Sequence, residues 1–562
     1  VGKALALAEA GWSANDGRVR DHLYFHNGTV FDGRGFIEPG CAVLVSGGRI
    51  TAVGTDRPPA DAEPIDLGGG TLVPGFIDAH VHPVHAGNQI RHCDLRSAHS
   101  VSGYVDLVAI YAADHPDEAW IAGGGWSMDA FPGGIPTREA LDAVVSDRPV
   151  FLVNRDGHGA WANSRALELA GIDANTPDPA DGRIERDGAG NAVGMLQEGA
   201  SALVSRLTPV VSADDWYEAL LVGQERLLGF GITGWQDAIV GDYQDGADPL
   251  PSYVRAAESG TLVATVVGAL WWDRDRGVEQ IAELEERRGR WADERFRATT
   301  VKMMLDGIIE NHTAAMLDPY LGVDACGGDH RGIDFIDAAE LPRFVTELDR
   351  AGFQVHFHSL GDRAVRTALD AVEGARAAIP DSTARHHLAH LQVVHPDDVE
   401  RFARLGATAN IQALWAMHEP QMDDLTLPFL GEPRGGWQYP FRSIAATGAA
   451  MCAGSDWPVS SPDPLLAAHV AVNRTLPSDA GGDGSEPFLP EQAIDLVTML
   501  AAYTSGSARV NGLDDRAGSI RPGMDADFAV TDADLSRIDR GDICRARVSQ
   551  TWVRGALVAE AG

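Results

Sequence analysis

Five segments of the chain place histidine, lysine or aspartate inside or just after a short apolar run. The first reads Asp78-Ala79-His80-Val81-His82-Pro83. Residues i and i+2 of a strand project to one face, so His80 and His82 point the same way. The second is TTVKMMLDG, where Lys302 stands among apolar neighbours. The third ends in His356-Phe357-His358, the fourth holds His386, His387 and His390, and the fifth ends in Gly454-Ser455-Asp456. Imidazole is the commonest ligand of zinc-like ions, and an aspartate can bind such an ion while accepting a proton. A buried ammonium is costly, and burial favours the neutral amine. A neutral Lys302 amine can take up carbon dioxide, and the resulting carbamate has two oxygens able to bridge two cations. A salt bridge from Lys302 to Asp306 is the plainer alternative. An isolated His-x-His also fits two ordinary polar histidines at a strand end. Coincidence explains any one of these segments and explains the set poorly.

The elements that would carry these residues are strands. Short apolar runs occur at 75–82, 231–237, 263–270, 299–305, 353–359, 386–392, 407–412 and 450–456. Between most of them lie stretches such as AELPRFVTELDRAG, with apolar residues at helical spacing. Eight strands alternating with helices predict an α/β fold, a (β/α)8 TIM-like barrel. In that fold, catalytic groups sit at the C-terminal ends of strands, where the histidine pairs and Asp456 fall. The gap between the first two runs is too long for one crossover, so 86–228 should contain an inserted substrate-side subdomain. Both chain ends read as short strands with Gly and Asp turns, at 22–73 and 506–562. These should meet in one small β-sandwich domain beside a barrel domain spanning 74–505, with 1–21 as an N-terminal extension. The glycines of GGGTLVPG fit a turn from sandwich to barrel, since they match neither dinucleotide nor P-loop spacing.

At 562 residues a large catalytic domain plus a smaller module is expected. With 45 basic and 81 acidic residues the formal charge is −36, which repels phosphate backbones and anionic lipid. No nucleic-acid partner and no membrane association are expected. Five scattered cysteines (Cys41, Cys93, Cys326, Cys452 and Cys544) without a CxxC pair fit a reducing cytoplasm better than a disulfide framework. No GxSxG is present to suggest a serine nucleophile.

The segments LVPGFIDAHVHP, VKMMLDGIIENHTAAM, VHFHSLGDRAV, AHLQVVHP, AGSDWPVSSPDP and GSIRPGMDADFAV together resemble successive signatures of the amidohydrolase superfamily. They are most similar to the amidohydrolase-3 subgroup, which includes N-substituted formamide deformylases. The resemblance runs from about Leu23 to the C-terminal strands and implies a barrel with a sandwich built from both chain ends. It implies that His80 and His82 bind one divalent metal ion and that Lys302, N-carboxylated, bridges to a second. His358 and His390 would bind the second ion, and Asp456 would contact the first and act as general base. One or two ions, zinc foremost, are the expected cofactor. The implied reaction is hydrolysis of an amide-type C–N bond in a small molecule, an N-substituted formamide being the nearest precedent. Isomerisation, deamination or decarboxylation at the same metals is the first alternative, and a metal-free binding or regulatory relative the second. Trp126 and His158, in segments resembling those that reach the barrel mouth, are the expected substrate contacts. His312 has similar standing, with Trp415 and Trp457 as candidates for an apolar wall. The sandwich strands leave room for a homo-oligomer that no residue specifies.

Overall fold

The computed structural model describes residues 22–38, 40–54, 58–243, 248–322, 329–482, 484 and 486–561. The N-terminal extension and Cys326 lie outside the described residues. The other four cysteines are free thiols. Among the described residues no helix is long and apolar enough to cross a membrane.

The eight runs expected from the sequence are the eight barrel strands. In chain order they are Phe76–Val81, Ile232–Val240, Thr265–Trp271, Phe296–Met304, Gln354–Ser359, His387–His390, Thr408–Ile411 and Met451–Ala453. Each pairs in parallel with its predecessor, in one sheet. Helices return the chain across the outside. Pro396–Leu405 shows why such a helix starts and stops: His395 caps it, Pro396 fits its first turn, and Gly406 ends it with a left-handed φ of 64°. The principal core lies between these helices and the strands, around residues such as Phe296, Val345, Leu369 and Leu388.

No ladder joins the first and last strands, and the seam closes through the residues that follow them. The Asp456 amide donates to His80 O at 2.7 Å, and the His82 amide to Trp457 O at 2.9 Å. Fully buried Asp78 reinforces the seam, its Oδ1 accepting from the amides of His80 and Ser455, each at 3.0 Å. Gly454 is required here because a Cβ would stand 2.5 Å from His80 N.

Two further sheets form from the chain ends. One has four strands, Arg49–Val53, Val43–Ser46, His22–His26 and Glu63–Asp66, in that order. The other has five and draws on both termini, Thr71–Pro74 pairing antiparallel with Phe528–Thr531. The sheets share a core in which the Phe25 ring meets Phe528 and Trp552 edge-on at 5.1 and 5.2 Å. Between the N- and C-terminal contributions, Ser507–Val510 and Asn511 pack against the barrel before the chain reaches the sandwich.

Between the first and second barrel strands, a six-stranded sheet runs from Cys93–Asp94 to Ala192–Glu198, with one buried cluster of its own and a second shared with the barrel loops. Its last strand ends at Glu198, against the barrel mouth.

Overpacking the seam should be felt in stability. Gly454→Ala is expected to cost about 1–3 kcal/mol, read as a lower midpoint in thermal unfolding followed by circular dichroism. An unchanged midpoint would show that the seam tolerates a methyl group.

Candidate metal centre

Strand register gathers the polar residues at one rim. Lys302 lies beside His356, Met304 beside His358, and Ser359 beside His390. His80 sits near the end of the first strand, while His82 and Asp456 follow the first and last strands, joined across the seam just described. His80 Nε2 and His82 Nε2 lie 3.2 and 3.0 Å from Asp456 Oδ1. The His390 ring is centred 4.7 Å from His80 and 4.5 Å from His358. Ligand atoms of His80, His390 and Asp456 all fall within 4.8 Å of one another. His390, Leu391 and Asp456 adopt positive φ (76°, 53° and 56°), conformations that non-glycine residues hold only when their surroundings impose them.

A chain of hydrogen bonds fixes which nitrogen of His80 is free. Asn511 Nδ2 donates to Ser507 O at 2.9 Å, which leaves Asn511 Oδ1 to accept from Gln236 Nε2 at 2.7 Å. Gln236 Oε1 therefore faces His356 Nδ1 at 2.6 Å and accepts its proton. His356 Nε2 must then accept from His80 Nδ1 at 2.9 Å, so His80 Nε2 carries a lone pair. That lone pair confronts a carboxylate oxygen of Asp456, an arrangement that repels until a cation stands between them. His390 has both ring nitrogens buried and unpartnered, and His82 Nδ1 is also unpartnered. These residues fit a divalent ion.

Lys302, almost wholly buried, makes no ion pair among the described residues. Burial pushes its amine down to about 7, with the negative charge of Asp456 opposing the shift. The alternative partner Asp306 is engaged elsewhere, accepting from the amides of Ala315, Leu360 and Gly361. Burial, reinforced by neighbouring cationic groups, holds His80, His358 and His390 well below the usual imidazole range. The neutral form that results is the one that binds metal.

The remaining histidines of these strands have other tasks. His356 belongs to the hydrogen-bond chain, and the His387 ring packs on it at 4.1 Å. His386 Nδ1 accepts from the Val355 amide, and its Nε2 lies 3.2 Å from Asp349.

A cavity of about 530 Å³ opens over the rim. His158 and Trp415 line it, the indole stacking on His390 at 5.4 Å and 7°. Three expected contacts are corrected. Trp126 is fully buried in the insertion's core, its Nε1 donating to Leu152 O and its ring against Trp161 and Phe131. Trp457 is drawn into the barrel core behind the seam, and His312 packs between Tyr320 and Phe429. None of these three lines the cavity.

Sequence reading missed Glu198, whose carboxylate meets His158 Nδ1 at 3.0 Å from both oxygens. Burial alone would lower His158, but the Glu198 charge outweighs it and brings the imidazole up to about 9. The cue available in the sequence was a lone acid, Gln197-Glu198-Gly199, at the end of an apolar run. Apolar groups also line the cavity: the Tyr243 and Trp271 rings meet at 4.8 Å beside Met304, and the insertion contributes Trp120 and Phe151.

The profile of the amidohydrolase family matches residues 63–559. The chain is 29% identical over 524 residues to Protein LONG AFTER FAR-RED 3 of Arabidopsis thaliana, covering 90% of this chain and 86% of that protein. It is 27% identical over 532 residues to N-substituted formamide deformylase of Arthrobacter pascens, covering 92% and 94%. Among solved structures, an uncharacterised metal-dependent hydrolase from Pyrococcus horikoshii OT3 superposes with a TM-score of 0.71 at 25% identity, over 92% of this chain and 99% of the other. With that match spanning most of its length, the chain belongs to the amidohydrolase family.

Proposed function

We propose that this protein is a metal-dependent hydrolase of amide-type C–N bonds, acting on small molecules that bear a bulky apolar or aromatic group. The observation that carries the reading is the lone pair of His80 facing Asp456, beside a His390 with no partner for either nitrogen. Such a site is costly empty and favourable around a cation, since each buried polar group without a partner costs about 1–3 kcal/mol. In this reading His80, His82 and Asp456 hold one ion, and His358 and His390 hold the second. Lys302 would serve both as a carbamate, formed when its neutral Nζ bonds to the carbon of carbon dioxide and releases a proton. Bound divalent ions, zinc by ligand preference, supply a water of lowered pKa and a Lewis acid for the carbonyl.

The chain's own groups do the rest. Asp456 accepts the proton of the nucleophilic water and passes it to the departing nitrogen, so one carboxylate serves both halves of the reaction. His158, which lines the cavity beside His358, is the imidazole available to the carbonyl oxygen. The apolar wall of Tyr243, Trp271, Met304, Trp120 and Phe151 holds the substituent, which supports an aromatic amide or formamide over a small polar one. The formamide activity of the Arthrobacter relative supports the same choice.

Lys302→Ala and Asp456→Ala should keep the circular dichroism spectrum and lose turnover by about 10²–10⁴-fold. Near-full activity in either removes the mechanism. Loading the protein with ¹³C-bicarbonate and zinc should produce a carbamate carbon signal that Lys302→Ala lacks. Gln236→Leu, which breaks the chain holding the His80 tautomer, should weaken zinc binding by about 10–100-fold, measured by competition with a chelating dye. Across a panel of formamides, acyl-amines, cyclic amides and esters, kcat/KM should rise with an aromatic substituent, and a preference for small polar members would count against the wall's assigned role.

A further inference from the structure

Glu198, a carboxylate of the insertion, stands buried against the loop that follows the fourth barrel strand. It is buried, with φ 49° and ψ −130°, a conformation that costs a non-glycine residue about 1–3 kcal/mol. Three side chains converge on it. Thr313 Oγ1 donates to Oε1 at 2.6 Å, Asn311 Nδ2 donates to Oε1 at 3.2 Å, and His158 Nδ1 reaches both oxygens. The backbone joins the same pair, the Glu198 amide donating to His158 O at 2.9 Å. Thr313 and Asn311 lie on the loop after the fourth barrel strand, and that loop turns at Gly307, where a Cβ would collide with Glu198 Oε1 and Thr313 Oγ1. Glu198 therefore bonds the insertion's histidine to the barrel loop that follows Lys302. With a carboxylate on Nδ1, the His158 proton on that nitrogen is fixed, and Nε2 is the ring atom left to meet a ligand in the cavity that the residue lines.

We propose that Glu198 is a positioning residue for hydrolysis: through His158 it fixes the imidazole edge that meets the oxygen of the scissile carbonyl, and through Thr313 and Asn311 it sets that edge's distance from the metal rim. The inference rests on the hydrolase reading for its kinetics and on geometry alone for the state of the His158 ring. Backbone strain at Glu198 is the cost of the arrangement, since a relaxed strand end would carry the carboxylate away from both partners.

The test uses the zinc-loaded full chain as wild type, Glu198→Gln, His158→Gln and the double variant, each checked for zinc content and melting temperature. With the best amide of the panel, His158→Gln should lower kcat about 10²–10³-fold, as loss of a donor to a developing oxyanion does. Glu198→Gln should lower kcat about 10–100-fold with little change in KM. The double variant should be no worse than His158→Gln alone, because Glu198 acts through His158. In protein with ¹⁵N-labelled histidine rings, the Nδ1–H resonance that His158→Gln removes should shift or vanish in Glu198→Gln at equal zinc content. Additive kinetic losses, or an unmoved His158 ring signal in Glu198→Gln, would overturn the proposal. A wild-type enzyme that turns over nothing on the panel sinks the hydrolase reading instead, and the ring signal still decides whether Glu198 holds His158.

Discussion

The structure is organised around a confrontation of like-minded atoms: nitrogen lone pairs and a carboxylate oxygen aimed at one another in a place water hardly reaches. His80 cannot turn its Nε2 away, because its Nδ1 proton is committed to His356 and the commitment runs back through Gln236 and Asn511 to a main-chain carbonyl. His390 cannot find a partner because its strand ends on two successive left-handed residues that aim it into the rim. Buried polar groups are normally paired, so a cluster that violates this at one point, with each member rigidly held, is a site awaiting charge.

The same rim is where the barrel closes. Here Asp456 and His82 are tied across the gap by their own main chains, so closing the barrel and setting the spacing of these side chains are one event. Asp78 shows the cost: a carboxyl pushed up to about 7 by burial, kept because it accepts two amides at the seam. A destabilising change at the seam should therefore reach His80, His82 and Asp456 before it reaches the sandwich.

Much of this was legible in the sequence because strand periodicity and ligand chemistry coincide. All eight barrel strands announce themselves as apolar runs, and His80, Lys302, His390 and Asp456 stand out as polar residues where such runs end. What was not legible depends on contacts between distant segments. Strand alternation places His356 and His358 on one face with equal claim, and only the position of Gln236 separates the relay from the rim. Trp126 was an expected substrate contact because its segment resembles those that reach the barrel mouth. Its neighbours Trp161 and Phe131 arrive from 35 and 5 residues further along the chain and bury it instead. Glu198 gave little signal, since its meaning comes from Asn311 and Thr313, more than a hundred residues away.

The cavity is polarised, and the polarity has a structural origin. The histidines, Lys302 and Asp456 of the rim come from, or just after, the first, fourth, fifth, sixth and last strands, whereas the ends of the second and third carry Ile239, Tyr243 and Trp271 toward the cavity. The insertion contributes both kinds of group, His158 among the polar and Trp120 and Phe151 among the apolar. A molecule with one polar, cleavable end and one apolar end has only one favourable orientation in such a space, because reversing it would bury the polar end against aromatic carbon. Orientation is therefore decided by which strands end in rings, and chemistry by which end in histidine. The insertion, which supplies groups of both kinds, is the part of the chain where variation would reshape the cavity while leaving the barrel rim intact.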